Sequence, residues 1–182
     1  MKSLALALAL TSAVALGVPV APATASMETV EARITARSAA EIAHDDMLAA
    51  FGEKTLKPGQ YLWREVDGGG APRVVVSLPR QLAFLYMGNE LAAVSTISSG
   101  KEGTKTPNGI FSVLSKKRMH HSRKYDNAPM PFAQFIDKWG VALHAGHLPG
   151  QPASHGCVRL PAKFAAKLFQ VTDVGTPVII GA

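Results

Sequence analysis

Residues 73–100, RVVVSLPRQLAFLYMGNELAAVSTISSG, decide the fold class. They form three short runs rich in β-branched and apolar residues, and Gly88 and Asn89 separate the last two runs. Glycine beside asparagine is typical of a tight turn between antiparallel strands, because both residues tolerate a left-handed backbone. The pattern therefore predicts one strand followed by a β-hairpin.

The rest of the chain continues this pattern. Further strands are predicted within residues 57–66, 103–117, 139–145 and 176–181. One helix is predicted near residues 161–170, where Pro161 occupies a helix-start position and the inner face is Phe164, Leu168 and Phe169. We expect a mainly β catalytic domain, sandwich- or barrel-like, over residues 58–182, with one helix after Cys157.

Residues 26–57 are predicted to be a partly helical connector. Helical spacing covers residues 38–51, in which Ser38 and Glu41 fit a capping box and Gly52 is a stop signal. The residues predicted to share its inner face are Ile42, Met47, Leu48 and Phe51.

Residues 1–25 have the plan of a secretory signal peptide. Lys2 is followed by a charge-free apolar run over residues 4–20 and by a small-x-small site ending at Ala25. An uncleaved anchor is the alternative, which the shortness of the run disfavours. No cysteine follows the run, so an acylated lipoprotein is excluded. We expect the protein to be exported to the periplasm or cell wall.

The charge pattern excludes some partners. The formal net charge is +6, but the chain has no arginine-rich run and no nucleic-acid motif, so we expect no nucleic-acid partner. A basic loop is predicted before Tyr125, and it could be solvated, form a lid or meet an anionic polymer: Arg118, His120, His121, Arg123 and Lys124. Trp139 and Phe132 are candidates for groove walls or for core packing.

Residues 142–160, ALHAGHLPGQPASHGCVRL, hold the single cysteine, Cys157, and three of the six histidines, His144, His147 and His155. Three interpretations are open: a nucleophile with its base, a metal site, or buried residues that only pack. Oxidising compartments pair cysteines, so an unpaired cysteine in an exported protein indicates a reactive thiol, an intermolecular bridge or a buried small apolar residue.

The nucleophile interpretation needs a base and a site for negative charge. A thiol with a pKa of about 8.5 attacks as thiolate, and His144 ends an apolar strand to which a Gly- and Pro-rich loop can return Cys157. Amides near Gly156 and Cys157 could stabilise an oxyanion. Arg159 could favour the thiolate or hold a substrate carboxylate.

The metal interpretation uses the same three histidines and the cysteine. Such donors can bind zinc, but no carboxylate lies near enough to act as a general base and the spacing differs from the helical HExxH pattern. We therefore expect no metal and no other cofactor.

Several motifs together resemble the L,D-transpeptidase family (the YkuD domain). The most specific is SHGCVRL (154–160), with VALHAG (141–146) upstream and the TPxGxF pattern inside GTKTPNGIFSV (103–113). VVVSLPRQLAFLY (74–86) and the segment 129–146 are similar to other parts of the family pattern. The resemblance covers about residues 72–181.

The resemblance implies a reaction on peptidoglycan. Members cleave a tetrapeptide stem before its terminal D-residue, form a cysteine thioester and pass the acyl group to an amine. Carried over, Cys157 is the nucleophile and His144 the proton acceptor and donor. His155 supports the site, backbone amides at Gly156 and Cys157 bind the oxyanion, and Ser154 and Arg159 shape the loop or contact substrate.

The implied partners are peptidoglycan stem peptides, with an envelope protein as a possible acceptor, and we expect a monomer. Ala145 follows the base, where many members have Ser or Thr. The alanine serves equally if a backbone carbonyl orients the imidazole. The loop before the SHGC segment is also shorter than in many members.

Alternative activities remain. An L,D-carboxypeptidase or hydrolase would use the same first half-reaction with water as acceptor. A papain-like peptidase is disfavoured because His144 precedes Cys157. A non-catalytic wall-binding module is the remaining alternative.

Overall fold

The computed structural model describes residues 27–66 and 69–182, so the predicted signal peptide lies outside the described residues. No helix in these two ranges is long and apolar enough to cross a membrane. The elements are α1 (Val30–Phe51), β1 (Tyr61–Trp63), β2 (Pro72–Ser77), β3 (Leu82–Met87), β4 (Glu90–Thr96), β5 (Gly109–Ser112), β6 (Ser115–Ser122), β7 (Ala128–Phe135), β8 (Ala142–Ala145), β9 (Val158–Leu160), α2 (Ala162–Val171) and β10 (Pro177–Gly181).

The strands form two sheets. The larger has the order β1-β4-β3-β2-β10-β5, and the smaller has the order β6-β7-β8-β9. The predicted hairpin is confirmed, because β3 and β4 are antiparallel and Met87 pairs with Glu90 across the Gly88–Asn89 turn. The mainly β, sandwich-like prediction and the helix after Cys157 are confirmed as well.

The larger sheet is buried on both faces, as the side-chain alternation of β2 shows. Val74 and Val76 point into the main core, which also holds residues of the smaller sheet and of α2. Val75, between them, points to the opposite face and packs with α1. Because successive strand residues face opposite sides, one β-branched run supplies both cores.

Helix α1 starts earlier than the sequence pattern predicts. Its N-cap is Thr29, whose side chain accepts a hydrogen bond from the Ala32 amide at 3.2 Å, and Ser38 lies inside the helix. The capping-box prediction at Ser38 is therefore wrong. Thr29 also fits the N-cap preference, so a second local signal stood nine residues upstream.

The inner face of α1 is made mostly of small residues; of the predicted large ones, Met47 is buried and Phe51 is partly buried against the same cluster. The buried positions are Ala32, Ala36, Ala40, Ala43 and Met47. Ile42, by contrast, is 60% exposed. The helix comes so close to β10 that a Cβ on Gly181 would lie 2.5 Å from the Ala36 carbonyl oxygen, which leaves no room for larger side chains. The helix thus packs on the domain it was predicted to precede, while the boundary at residue 58 stays a prediction.

The predicted basic loop is instead a β-hairpin. Residues 115–122 form strand β6, which pairs with β7 from Ser115–Phe135 to Ser122–Ala128. Strand β6 is at the edge of the smaller sheet and exposes polar side chains on both faces, so the apolar alternation that identifies a strand is missing. Trp139 is 81% exposed and is not a core residue, whereas Phe132 is half-buried against Phe169.

Candidate active site

Strands β8 and β9 bring the predicted base and nucleophile to one cavity. They are parallel neighbours in which His144 is in register with Arg159, and Cys157 directly precedes β9. Both His144 and Cys157 line a cavity of about 430 Å³. The return of the loop to the histidine strand, which the sequence predicted, is therefore present in the fold.

His144 is held in one orientation by the backbone. The side chain is buried, and Nδ1 lies 2.8 Å from the carbonyl oxygen of Ala145. A carbonyl can only accept, so Nδ1 carries the proton and Nε2 is left as an acceptor. Alanine after the histidine thus serves as well as a hydroxyl residue would.

Burial favours the uncharged form of both groups. It lowers the pKa of His144, and the charge of Arg159 lowers it further, against the opposing effect of the Ala145 carbonyl. Burial also raises the pKa of the Cys157 thiol, although the backbone of Ala142 and the charge of Arg159 act in the opposite direction. Both directions favour a neutral thiol and a neutral imidazole at neutral pH.

The segment that carries the nucleophile is braced by Ser154. Its hydroxyl donates to the Cys157 carbonyl at 2.5 Å and accepts from the Gly156 amide at 3.1 Å. Gly156 has a φ of +115°, which side-chain-bearing residues rarely adopt. Because the Gly156 amide is already bonded to Ser154, it can bind an oxyanion only if that bond is exchanged.

Thr106 is a positioning residue whose role the sequence did not reveal. Its side chain is buried, and its hydroxyl accepts from the Gly100 amide at 2.8 Å and donates to the Gly156 carbonyl at 2.9 Å. Its contact with Gly156 joins the TPxGxF and SHGC motifs, a link of 50 residues along the chain.

The hairpin between β6 and β7 forms the opposite wall of the cavity. The ring of Tyr125 stacks on His155 with a centroid distance of 4.3 Å and an interplanar angle of 17°. The predicted supporting residue His155 is exposed and its ring stacks on the hairpin, whereas His144 is buried and lines the same cavity as Cys157. Tyr125 and Asp126 line the cavity and were not predicted as site residues.

Arg159 and His147 complete the cavity. Arg159 needs the glycine at position 146, because a Cβ there would lie 2.9 Å from its Cγ. Arg159 is the only lysine or arginine among the described residues that line this cavity, so it is the candidate for binding a carboxylate. His147 is exposed but contributes to the lining.

The described residues contain no group of three or more His, Cys, Asp and Glu side chains placed to hold a metal ion. The donors predicted for that alternative are also used otherwise: Nδ1 of His144 bonds to Ala145, and the ring of His155 stacks on Tyr125. The arrangement can activate a thiol by proton transfer.

Comparisons with known proteins agree with this arrangement. The model of the YkuD L,D-transpeptidase catalytic domain matches residues 71–180. The Bacillus subtilis protein YkuD, assigned as an L,D-transpeptidase, is 26% identical over 113 residues, which make up 59% of this chain and 64% of that protein.

Two solved structures from Mycobacterium tuberculosis have the same fold. One is an L,D-transpeptidase with a TM-score of 0.57 and 23% identity, over 62% of this chain and 58% of that one. The other is L,D-transpeptidase 3 with a faropenem-derived adduct, with a TM-score of 0.57 and 23% identity over 62% of this chain and 60% of that one. The chain spans less than two thirds of each of these relatives.

Proposed function

The chain belongs to the L,D-transpeptidase family, and from this premise we propose that it transfers an acyl group from a peptidoglycan tetrapeptide stem, through a thioester on Cys157, to an amine. The observation that carries the proposal is the pair formed by Cys157 and a histidine whose free Nε2 is set by a backbone carbonyl. A thiol beside a neutral imidazole is suited to nucleophilic acyl transfer.

In the first half-reaction, Nε2 of His144 takes the thiol proton while the sulfur bonds to the carbonyl carbon before the terminal D-residue. The tetrahedral intermediate then collapses, and the bond to that residue's nitrogen breaks. The imidazolium returns the proton to the leaving amine, so that a thioester and a neutral imidazole remain.

In the second half-reaction, an acceptor amine attacks the thioester carbonyl and loses a proton to His144. The carbon–sulfur bond breaks, and the thiolate takes that proton back. Water in place of the amine would make the enzyme an L,D-carboxypeptidase, the alternative with the same first step. The acceptor we propose is the amine of another stem or of an envelope protein.

The oxyanion of each tetrahedral intermediate needs a donor. We assign this role to the Cys157 amide, with Gly156 joining if its bond to Ser154 is exchanged. Arg159 supplies a positive charge for a carboxylate of the donor stem. These assignments rest on residue position and chemistry within the cavity.

The cell location follows from the substrate. Peptidoglycan lies outside the cytoplasmic membrane, and the charge-free run over residues 4–20 supports export through a signal peptide. We therefore place the protein in the periplasm or cell wall, acting as a monomer. A mature N-terminus after Ala25, found by N-terminal sequencing of protein from the envelope, would support cleavage, and an intact Met1 would contradict it.

The first experiment tests the nucleophile. The related L,D-transpeptidase 3 structure contains a faropenem-derived adduct, so we expect incubation with faropenem to add one covalent adduct to this protein by mass spectrometry. The Cys157→Ala variant should stay unmodified. An adduct that persists in this variant, or its absence from the unsubstituted protein, would contradict the thioester mechanism.

The second experiment identifies the products. A purified disaccharide-tetrapeptide is incubated with and without a second stem as acceptor, and the products are separated and weighed. Cross-linked dimer formation supports transfer to an amine. Release of the terminal residue without dimer supports the carboxypeptidase. If neither product forms and faropenem gives no adduct, the non-catalytic wall-binding module is the alternative that remains.

A further inference from the structure

The positive charge of the chain is concentrated next to the active site. Residues 115–139 contain six of the 19 Lys and Arg residues but only two of the 13 Asp and Glu residues. The six are Lys116, Lys117, Arg118, Arg123, Lys124 and Lys138. This segment holds the β6–β7 hairpin and the turn that leads to β8, so one end of the smaller sheet is strongly basic.

Most of these charges have no carboxylate partner. Lys116 is the exception, because it donates to the carbonyls of Phe169 and Thr172 at the end of α2 and lies 3.8 Å from Asp173. For the other five, no carboxylate lies within 4.0 Å in the part of the chain that the structure describes. A structural role explains one lysine and leaves five cations facing solvent.

A groove lies between two of these cations, Lys117 and Lys138, and we call it the basic groove. It has a volume of about 280 Å³ and is lined by Leu114, Ser115, Lys117, His120, Phe135, Asp137, Lys138 and Gly140. The ring of Phe135 lies within it, with the His120 ring 5.1 Å away edge-on and Lys117 Nζ at 5.9 Å. The groove therefore combines an aromatic surface with two lysines, and the one carboxylate that lines it, Asp137, accepts two backbone hydrogen bonds.

Trp139 extends the aromatic surface beyond the groove. It is 81% exposed, and Nζ of Lys138 lies 4.9 Å from its ring centroid. Asp137 accepts hydrogen bonds from the amides of Trp139 and Val141 at 2.9 and 2.8 Å, which fixes this turn. An exposed tryptophan on a fixed turn contributes nothing to the core, and its ring is free to stack on a ligand.

The basic groove adjoins the catalytic cavity at Gly140. This residue lines both cavities, and its carbonyl oxygen lies 3.7 Å from Cys157 Sγ. A polymer lying in the groove would thus pass beside the nucleophile.

We propose that the basic groove and Trp139 bind the polymer that carries the donor stem, namely a glycan strand with its neighbouring acidic stem peptides. The inference rests on the proposed function for the identity of the polymer. Sugar rings present C–H faces that stack on an exposed aromatic ring, and the free carboxylates of neighbouring stems complement Lys117 and Lys138. The groove favours binding of polymer over an isolated stem, while the catalytic cavity binds the stem itself.

The binding test uses Cys157→Ala, so that no turnover occurs. This protein is sedimented with insoluble peptidoglycan, and the bound fraction gives an apparent Kd. In that background, Lys117→Glu with Lys138→Glu should weaken binding about 10-fold, and Trp139→Ala about 5-fold. The matched control is Lys54→Glu with Lys57→Glu, which makes the same charge change at exposed lysines away from the groove. Unchanged binding in the groove variants, or an equal loss in the control, would overturn the proposal.

Two further arms fix the ligand chemistry. Glycan strands stripped of their stems should bind more weakly than intact polymer and lose less affinity as salt is added, because the screened carboxylates are gone. Double-stranded DNA and anionic vesicles should bind much more weakly than intact polymer. Equal binding to either would overturn the proposal and indicate a general polyanion surface.

A turnover arm separates this inference from the proposed function. With Cys157 restored, the groove variants should keep wild-type faropenem acylation and wild-type activity on the monomeric disaccharide-tetrapeptide, while activity on polymer falls about 10-fold. Equal losses on monomer and polymer would overturn the groove's role. A protein that binds polymer through the groove but is never acylated would fail the proposed function alone.

Discussion

The two walls of the catalytic cavity are built differently. The nucleophile wall, residues 154–159, is bonded to another part of the chain: Thr106 donates to Gly156, and Ser99 accepts from the amides of Ala153 and Ser154. The hairpin wall, residues 122–128, is closed by two turn hydrogen bonds, from Tyr125 to Ser122 at 3.2 Å and from Ala128 to Tyr125 at 2.8 Å. Across the cavity, the Tyr125–His155 stack joins the two walls.

This difference assigns a task to each wall. Acyl transfer requires the thiol, the base and the oxyanion donor to be fixed relative to one another, and a network of buried hydrogen bonds supplies that. A hairpin closed by its own turn can adjust to different substrates. Substitutions in the nucleophile wall should therefore affect every substrate, and those in the hairpin wall should depend on the substrate.

The largest effect is expected at His144. His144→Gln keeps a polar side chain but cannot take the thiol proton, so kcat/KM for a tetrapeptide donor should fall about 10²- to 10⁴-fold. The control is His147→Gln in the same cavity, which should retain activity within about 3-fold, because an exposed side chain there has no part in proton transfer. Near-normal turnover by His144→Gln would show that His144 is not the base. Equal losses in both variants would show that His144 and His147 do not differ in their role.

The support beneath the nucleophile wall is tested next. Thr106→Val keeps the shape but removes the hydroxyl, which leaves the Gly156 carbonyl and the Gly100 amide without this partner. Denaturant unfolding should show a loss of about 1–3 kcal/mol, and kcat should fall about 10- to 100-fold as Cys157 shifts.

Thr106→Ser is the matched control, because it keeps the hydroxyl and should retain most of the activity. If Thr106→Val lost stability but was acylated by faropenem at the normal rate, the hydrogen bonds would be purely structural. The nucleophile wall would then not depend on this support.

Much of this comparison could be predicted from local sequence. The β-branched run at Val74–Val76 and the Gly88–Asn89 turn predict the central strands because each signal is local. The SHGC segment and the strand ending in His144 predict the pair of nucleophile and base, because the chemistry of a thiol and of an imidazole follows directly from residue identity. The orientation of His144 was left conditional, since a backbone carbonyl is present at every residue.

The remainder depends on tertiary contacts. The alanine face of α1 is dictated by the close approach of Gly181, and nothing within the helix distinguishes Ala36 from an exposed alanine. Strand β6 has no apolar alternation, because an edge strand with two polar faces gains its order from pairing with β7. Tyr125 and Thr106 act across distances of 30 and 50 residues, so no local pattern could reveal their contacts.

The hairpin wall should respond more weakly and more selectively. Tyr125→Ala removes the stack on His155, which is worth about 0.5–1.5 kcal/mol, so KM for a tetrapeptide donor should rise about 2- to 10-fold with little change in kcat. Tyr125→Phe keeps the ring and should behave like the unsubstituted protein. Acylation by faropenem should be unchanged in both, whereas a large fall in kcat for Tyr125→Ala would mean that the hairpin also positions the chemistry.

The smallest effect is expected from pH, and it tests whether the nucleophile wall holds a neutral pair. The pKa of His144 is lowered, so the imidazole stays unprotonated down to a pH below its ordinary value; the pKa of Cys157 is raised, so the thiol stays protonated to a pH above its own. Between the two values both groups are neutral and competent. An ordinary histidine would lose half its base form at pH ~6.5, so acylation there should fall by less than about 2-fold from the plateau.

Thiolate absorbance near 240 nm should be absent at neutral pH in the unsubstituted protein, with Cys157→Ala as the blank. A thiolate signal at pH ~6.5 would instead establish a thiolate–imidazolium pair, in which the charge of Arg159 and the backbone of Ala142 outweigh burial.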